Sequence, residues 1–382
     1  MANTLTDLYP DLYAALDIVR REMVGFIPAV NRNSTVERAA IGQTVRVPVT
    51  EPETAADNTP GVTAPDTGDN TVTNIPLAIT KSRHVPVRFN GEETMGLQNG
   101  GTYNTIRADR FAQAMRTLVN EMESDVSDAA YKASSRAFGT AGTTPFGTKD
   151  VLTDFAGPLQ ILEDNGAPST DLQLVAGSSA FYNLRGIQTG LLQRVNESGS
   201  ADALRMGVFG EVHGFTLRNS AQVKSHTKGT GTSYQLAETG EVDETELSID
   251  TGSGTVLAGD VMTVAGDTNK YVVKTGVTAP GDLTLGEPGL RAAAADNAAV
   301  TIGDSYVGNV AFHRNALVLA TRLPAMPDGG DAADDRLSIT DPISGLTFEV
   351  AVYRQYLQSV YHVRLAWGVG APNPAFIATL LG

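Results

Sequence analysis

The segment that most restricts the fold is TYNTIRADRFAQAMRTLVNEMESDVSDAAYKASSRAF, residues 102–138, which contains neither proline nor glycine. Phe111, Met115, Leu118, Met122, Val126, Ala129 and Ala133 recur in it at steps of 4, 3, 4, 4, 3 and 4. That spacing predicts one amphipathic helix closed by Gly139, about 55 Å long at roughly 1.5 Å per residue. Helices of globular domains average about a dozen residues, so this one would act as a beam. A coiled coil is the alternative. The small Ala129, Ala130, Ala133 and Ala137 suit close packing on a sheet better than a leucine seam.

Upstream of the beam, DLYAALDIVRREMV (11–24) places Leu12, Leu16, Val19 and Met23 on one face of a short helix, with Pro10 near its first turn. TVRVPV (44–49) and KSRHVPVRF (81–89) alternate as half-buried strands do. Between them, TEPETAADNTPGVTAPDTGDNTVTNIPLAIT cannot support a core of its own. Loops of this length are uncommon in compact domains. The segment is either a surface loop or a β-hairpin arm whose tip orders against a neighbouring subunit.

Downstream, residues 151–221 are mixed. LQLVAG reads as a strand, SSAFYNLRG as a helix capped by Ser178 or Ser179, and FGEVHGFTLRNS as a strand pair. Residues 222–308 then carry short strands, GDVMTV, KYVVKTG, DLTL and AAVTI, with LRAAAADNAA the one helical stretch. Such spacing predicts a small barrel or sandwich. The mixed style resumes at NVAFHRNALVLATRLP, followed by the loop PDGGDAADD and two long alternating strands, ISGLTFEVAVYRQY and SVYHVRLAWGV. The β module therefore interrupts a domain rather than ending it.

Composition narrows the function. The 382 residues suffice for two or three domains, or for one with a large insertion, and 39 glycines and 18 prolines point to many turns. With 28 Lys plus Arg against 43 Asp plus Glu, the net charge of -15 is wrong for gripping duplex DNA, where cations must neutralise phosphates. There is no cysteine, which excludes disulfides, thiolate chemistry and cysteine-based zinc sites. The first residues do not form a signal peptide, and no apolar stretch approaches the roughly 20 residues that cross a bilayer. A soluble protein made in the cytoplasm is expected.

No motif assembles an active site. GTTPFGTK (142–149) has the wrong order for a phosphate loop and follows a helix, and no G-x-S-x-G elbow is present. His84, His213, His226, His313 and His362 show no metal-ligand spacing. Asp328, Asp331, Asp334 and Asp335 lack the EF-hand spacing and read as a solvated turn. Glu92 and Glu93, adjacent on a strand, would face opposite ways. His313 and Arg314 head an apolar run in which Ala316, Val318 and Ala320 alternate with Leu317, Leu319 and Thr321. They are expected to cap a strand covered on both faces rather than to catalyse.

The order of these parts resembles the major coat protein of tailed double-stranded DNA phages, with the α+β Hong Kong 97-type capsid fold, and in particular the short-tailed (podovirus) branch with a β-barrel insertion. On this resemblance residues 1–34 are similar to the N-terminal arm and 35–100, from TVRVPV through KSRHVPVRF, to the extended E-loop hairpin. Residues 101–150 hold the spine helix of the peripheral domain. The axial domain takes 151–221 and 309–337, the β-rich insertion 222–308, and the hinge and peripheral return strands 338–382. The resemblance implies hexamers and pentamers closing into an icosahedral virion capsid, assembled in the host cytoplasm with scaffolding protein and portal. It implies double-stranded DNA enclosed without sequence-specific binding, and no enzyme activity, cofactor, metal or membrane. Residues 50–80 contain no lysine or arginine, so the arm is not expected to crosslink to a neighbour. Its acids Glu51, Glu53, Asp57, Asp66 and Asp69, with Lys81, Arg83 and Arg88 at its base, are the expected inter-subunit contacts. Two other classes stay open: an encapsulin-type shell around cargo enzyme, and a cytosolic hydrolase with no recognisable motif.

Overall fold

The computed structural model describes residues 9–22, 25–49, 73–101, 103–188, 210–278, 280–341 and 345–382, with positions 55, 57, 58, 60 and 62 between. Five α-helices occur among them: α1 (Tyr9–Glu22), α2 (Gly91–Asn99), α3 (Tyr103–Lys132), α4 (Thr153–Asp164) and α5 (Ser178–Gly186).

Helix α3 is the expected beam, but its 30 residues stop six short of Phe138. Phe111, Met115, Leu118, Met122 and Val126 are buried. At the far end the Ser135 amide donates to the Ile377 carbonyl at 3.0 Å. Arg136–Phe138 then pairs as a parallel strand with Ile377–Leu381. Sheet pairing overrides a local helical pattern there. Helix α1 buries Leu12 and Leu16 against α3, and the Asp11 carboxylate accepts from Arg107. The side chain of Val19, and Met23, lie outside the described residues.

The stripe of α3 packs on a six-stranded sheet built around Gln358–Gly370. One side of this strand pairs with Lys81–Asn90. The other pairs with Thr347–Gln355 and then with Val318–Pro324. Asn31–Ala39 and Asp335–Thr340 complete the sheet. Tyr361, Val363, Leu365 and Trp367 sit at every second position, so one face meets the helix. The edge of Phe111 meets Tyr361 with ring centroids 5.4 Å apart.

A second sheet joins Glu211–Val212, Phe215–Asn219, Leu172–Ala176, Tyr306–His313, Ile377–Leu381 and Arg136–Phe138. The last strand of the chain thus belongs here, not with the strands before it. Helices α4 and α5 cover one face, with Phe155, Leu162, Phe181 and Leu184 in a core of their own. Helix α5 lacks the serine cap expected from Ser178 or Ser179. Its N-cap is Gly177, whose amide donates to Asn309 Oδ1 at 2.8 Å.

Six further strands close on themselves: Val261–Val264, Ala299–Ile302, Tyr234–Leu236, Glu246–Asp250, Gly281–Leu285 and Lys270–Thr275 pair in a ring, every neighbour antiparallel. This is a barrel, filled by Tyr234, Met262, Tyr271, Val273 and Leu283 among others. LRAAAADNAA is not a helix. Leu290 plugs the barrel and the Ala294 amide exchanges hydrogen bonds with Gly240, so closure overrides the helix preference of alanine. The strand Lys270–Thr275 also pairs with Arg136–Phe138, which joins the barrel to the second sheet.

A buried carboxylate fixes the chain between α1 and the first sheet. Glu123 of α3 accepts from the Phe26 amide at 2.8 Å, the Ile27 amide at 2.7 Å and Ser220 Oγ at 3.2 Å. Only Gly25 fits beside it, since a Cβ there would stand 2.4 Å from Glu123 Oε2. Burial raises the Glu123 pKa even against its amide donors. The folded state therefore holds this proton more tightly than the unfolded chain, and the group adds stability as pH falls from neutral toward its ordinary 4.5. Glu123→Gln removes one acceptor and leaves a buried amide unmade, an expected loss of about 1–3 kcal/mol. Urea midpoints from pH 7 to 5 are expected to rise more in the wild type than in this variant.

Candidate assembly interface

The hairpin arm is present, with a different partner from the one the alternation suggested. Thr44–Val49 pairs antiparallel with Thr73–Ala78, from Thr44 opposite Ala78 to Val49 opposite Thr73. TNIPLA, which reads as part of the intervening loop, is thus the second strand of the arm. KSRHVPVRF belongs to the first sheet instead. Pro48 and Pro76 are tolerated because a two-stranded ribbon has free outer edges. Such a ribbon is at best marginal alone. Its exposure alternates between full and partial along Thr44–Val49: the face carrying Val45 and Val47 is partly covered by the cluster at its base, and the other is open.

The ribbon is seated at its base. Leu77 and Ile79 pack with Ala39, Val318, Ala320 and Ala366. Gly368 makes room for this contact: a Cβ there would lie 2.1 Å from the Ala78 carbonyl oxygen. The cations at the base face the beam. Lys81 Nζ lies 3.0 Å from Glu121 Oε1 and 2.8 Å from Asp125 Oδ1, and Arg83 Nε lies 3.1 Å from Glu121. Trp367 Nε1 donates to Asp125 Oδ2 at 2.9 Å. Burial disfavours the Lys81 ammonium, but Asp125 and Glu121 outweigh it and hold its pKa above the ordinary value. Burial likewise works against the Glu121 carboxylate, and Lys81 and Arg83 hold its pKa below the ordinary one.

Of the expected contact residues, Lys81 and Arg83 are therefore engaged by α3 of their own chain. Arg88 is exposed, and its carbonyl accepts from Arg110 at 2.9 Å. Asp57 is exposed outside any element, while Glu51, Glu53, Asp66 and Asp69 lie outside the described residues. Glu121, Asp125 and Trp367 escaped sequence reasoning. The acids stand one helical turn apart beside the apolar stripe, a spacing that reads equally as a solvated face.

The remaining polar candidates have structural partners. Glu92 and Glu93 lie on α2 rather than a strand, where Glu93 and Asn90 form a reciprocal capping box. The signal was present, since Asn90 stands three residues before Glu93. Asp328 and Asp334 are exposed, while Asp331 is half-buried and binds Arg364 at 3.0 Å, along with Arg336 and Tyr353. His226 Nε2 lies 2.7 Å from Asp260, and His84 stacks on His362 at 4.7 Å. His313 ends the strand Tyr306–His313, and Arg314–Ala316 forms one 3-10 turn before the fully buried Val318–Pro324. The expected strand thus begins two residues later than Ala316. Among the described residues no group of three or more His, Cys, Asp or Glu could hold a metal ion.

Two changes test how the arm is seated. Lys81→Met keeps the stem over Trp367 but leaves Glu121 and Asp125 facing each other, with an expected loss of about 1 kcal/mol in urea unfolding. Gly368→Val drives a side chain into the Ala78 carbonyl. Limited proteolysis is expected to cut this variant within 73–78 several-fold faster than the wild type, with the barrel left intact.

No family profile matches the sequence, and no characterised protein matches it. Solved structures do. A chain from the capsid of cyanophage P-SCSP1u superposes with TM-score 0.50 at 11% identity, over 94% of this chain and 88% of that one. A chain of Mycobacterium phage Che8 gives TM-score 0.49 at 13% identity, over 94% and 91%. One from a virus-like particle of Pyrococcus furiosus gives 0.44 at 13%, over 98% and 99%. At such identities the likeness is one of fold, and the cyanophage capsid carries it: this chain is built on the α+β phage capsid fold of the Hong Kong 97 type.

Proposed function

We propose that this chain is the major coat protein of a tailed phage of the short-tailed branch. In this reading it assembles as hexamers and pentamers into an icosahedral virion shell around double-stranded DNA. The observation that carries the proposal is the superposition on the cyanophage capsid chain across 94% of the sequence. The arm supports it as well. A two-stranded ribbon with one open face gains from a neighbour that covers it, and a shell supplies one to every copy. The role is structural, without catalysis.

Residues 1–34 then act as the N-terminal arm, 35–100 as the E-loop hairpin with its flanking strands, and 222–308 as the insertion. The rest divides as the family resemblance implies, with scaffolding protein and portal as assembly partners in the host cytoplasm. The net charge of -15 keeps the shell from binding its contents tightly. DNA is enclosed rather than gripped.

Size-exclusion chromatography of the purified chain, followed by negative-stain microscopy, tests the proposal. Closed shells or their hexamers and pentamers are expected. A persistent monomer under all salt and concentration conditions would overturn it. Shells that copurify with an enzyme and never take up DNA would favour the encapsulin class.

A further inference from the structure

We propose that Arg32, Arg218 and Arg314 form a receptor for the acidic arm tip, residues 51–69, of a second copy of this chain. The inference rests on the shell reading and names a contact within it. The three arginines come from distant parts of the sequence and meet where the N-terminal segment joins the first sheet. Arg32 follows Asn31, whose amide donates to the Leu317 carbonyl at 3.1 Å and whose side chain reaches Asn315 at 3.4 Å. Arg314 lies on the same turn, and Arg218 on the strand Phe215–Asn219, which is separated from the strand leading into that turn by Leu172–Ala176.

All three are partly exposed, and none forms an ion pair with a described residue. Arg218 Nε donates to Gln173 at 2.9 Å, and Arg314 Nη2 to the Pro28 carbonyl at 3.3 Å. Arg314 Nε is buried with no hydrogen-bond partner. Burial first, and then the neighbouring guanidiniums, lower the pKa of Arg32 and Arg218, with the buried Asp341 offsetting part of this at Arg32. The nearby Glu123 is held by backbone amides and is itself shifted toward its neutral form, so it compensates little of the charge of Arg218.

The arm has the opposite imbalance. Residues 50–80 carry Glu51, Glu53, Asp57, Asp66 and Asp69 and no cation. The basic residues nearest its base, Lys81 and Arg83, already face Glu121 and Asp125. From the last ribbon pair, Val49 and Thr73, the 50–72 segment doubled back can reach at most about 35 Å further. The ribbon already carries that start about 17 Å out from its base. In a shell a neighbouring copy lies within that reach, and charge reversal separates its arginines from the chain's own.

The test is charge reversal with nucleic-acid-free protein, followed by light scattering and negative-stain microscopy. One variant carries Glu51→Lys, Glu53→Lys, Asp66→Lys and Asp69→Lys. The other carries Arg218→Glu and Arg314→Glu, with Arg218→Gln and Arg314→Gln as a milder pair and circular dichroism as the folding check. Each reversed variant is expected to assemble at least tenfold more slowly than wild type, and an equimolar mixture of the two to recover hexamer formation. If only the double-reversed single chain recovers, the arm binds its own copy and the inference fails. If the arginine variant is impaired and the arm variant is not, the arginines act in assembly without the arm, and the inference again fails. Wild-type shells with unimpaired variants would overturn this contact alone, whereas wild-type protein that never assembles would overturn the shell reading.

Discussion

The apolar contact between α3 and the strand Gln358–Gly370 is what the other parts depend on. Phe111, Met115, Met122 and Val126 meet Tyr361, Val363, Leu365 and Trp367 in one continuous core. Truncating a single large side chain in such a seam costs about 2–5 kcal/mol, a large share of what holds a domain folded. The same helix then serves every neighbour. Its first half takes α1, its buried Glu123 holds the Phe26 and Ile27 amides, and its Glu121 and Asp125 hold the cations at the arm base. One rigid element thus sets the relative positions of three segments that have little core of their own.

What was legible in the sequence follows from range. The stripe of α3 and the strands of the barrel are local periodicities, and both fold as they read. Where the expectation failed, a distant partner decided. The helix ends early because Ser135 finds Ile377, and LRAAAADNAA stays irregular because Leu290 fills the barrel. TVRVPV has an alternating match in KSRHVPVRF, yet pairs with TNIPLA, whose proline hid a strand that needs no inner hydrogen bond there. The arginine cluster could not be seen at all. Its members are separated by 96 residues or more along the chain, and only the fold brings them together.

Charge in this chain is arranged as well as abundant. Acids outnumber cations 43 to 28, yet several acids point inward and hold arginine or lysine. Asp331 and Glu349 clasp Arg364, Glu349 also meets Arg38, and Glu121 takes both Lys81 and Arg83. Buried or half-buried carboxylates of this kind order strands more than they attract partners. The surface that remains is strongly acidic, which steers like copies apart at long range and leaves recognition to short-range, complementary patches.

The barrel leaves and rejoins the rest of the molecule at a single stem. Ser225 and His226 pair antiparallel with Val307 and Tyr306, so the outgoing and returning chains lie side by side, about 5 Å apart at Cα. Some eighty residues are thus topologically a loop thrown from one short ladder, with their own closed ring and their own core. The same module is also laid on Arg136–Phe138 through its strand Lys270–Thr275, so it is held at two places. Variation is therefore free on the side of the barrel away from that strand and constrained where the barrel meets the far end of the beam.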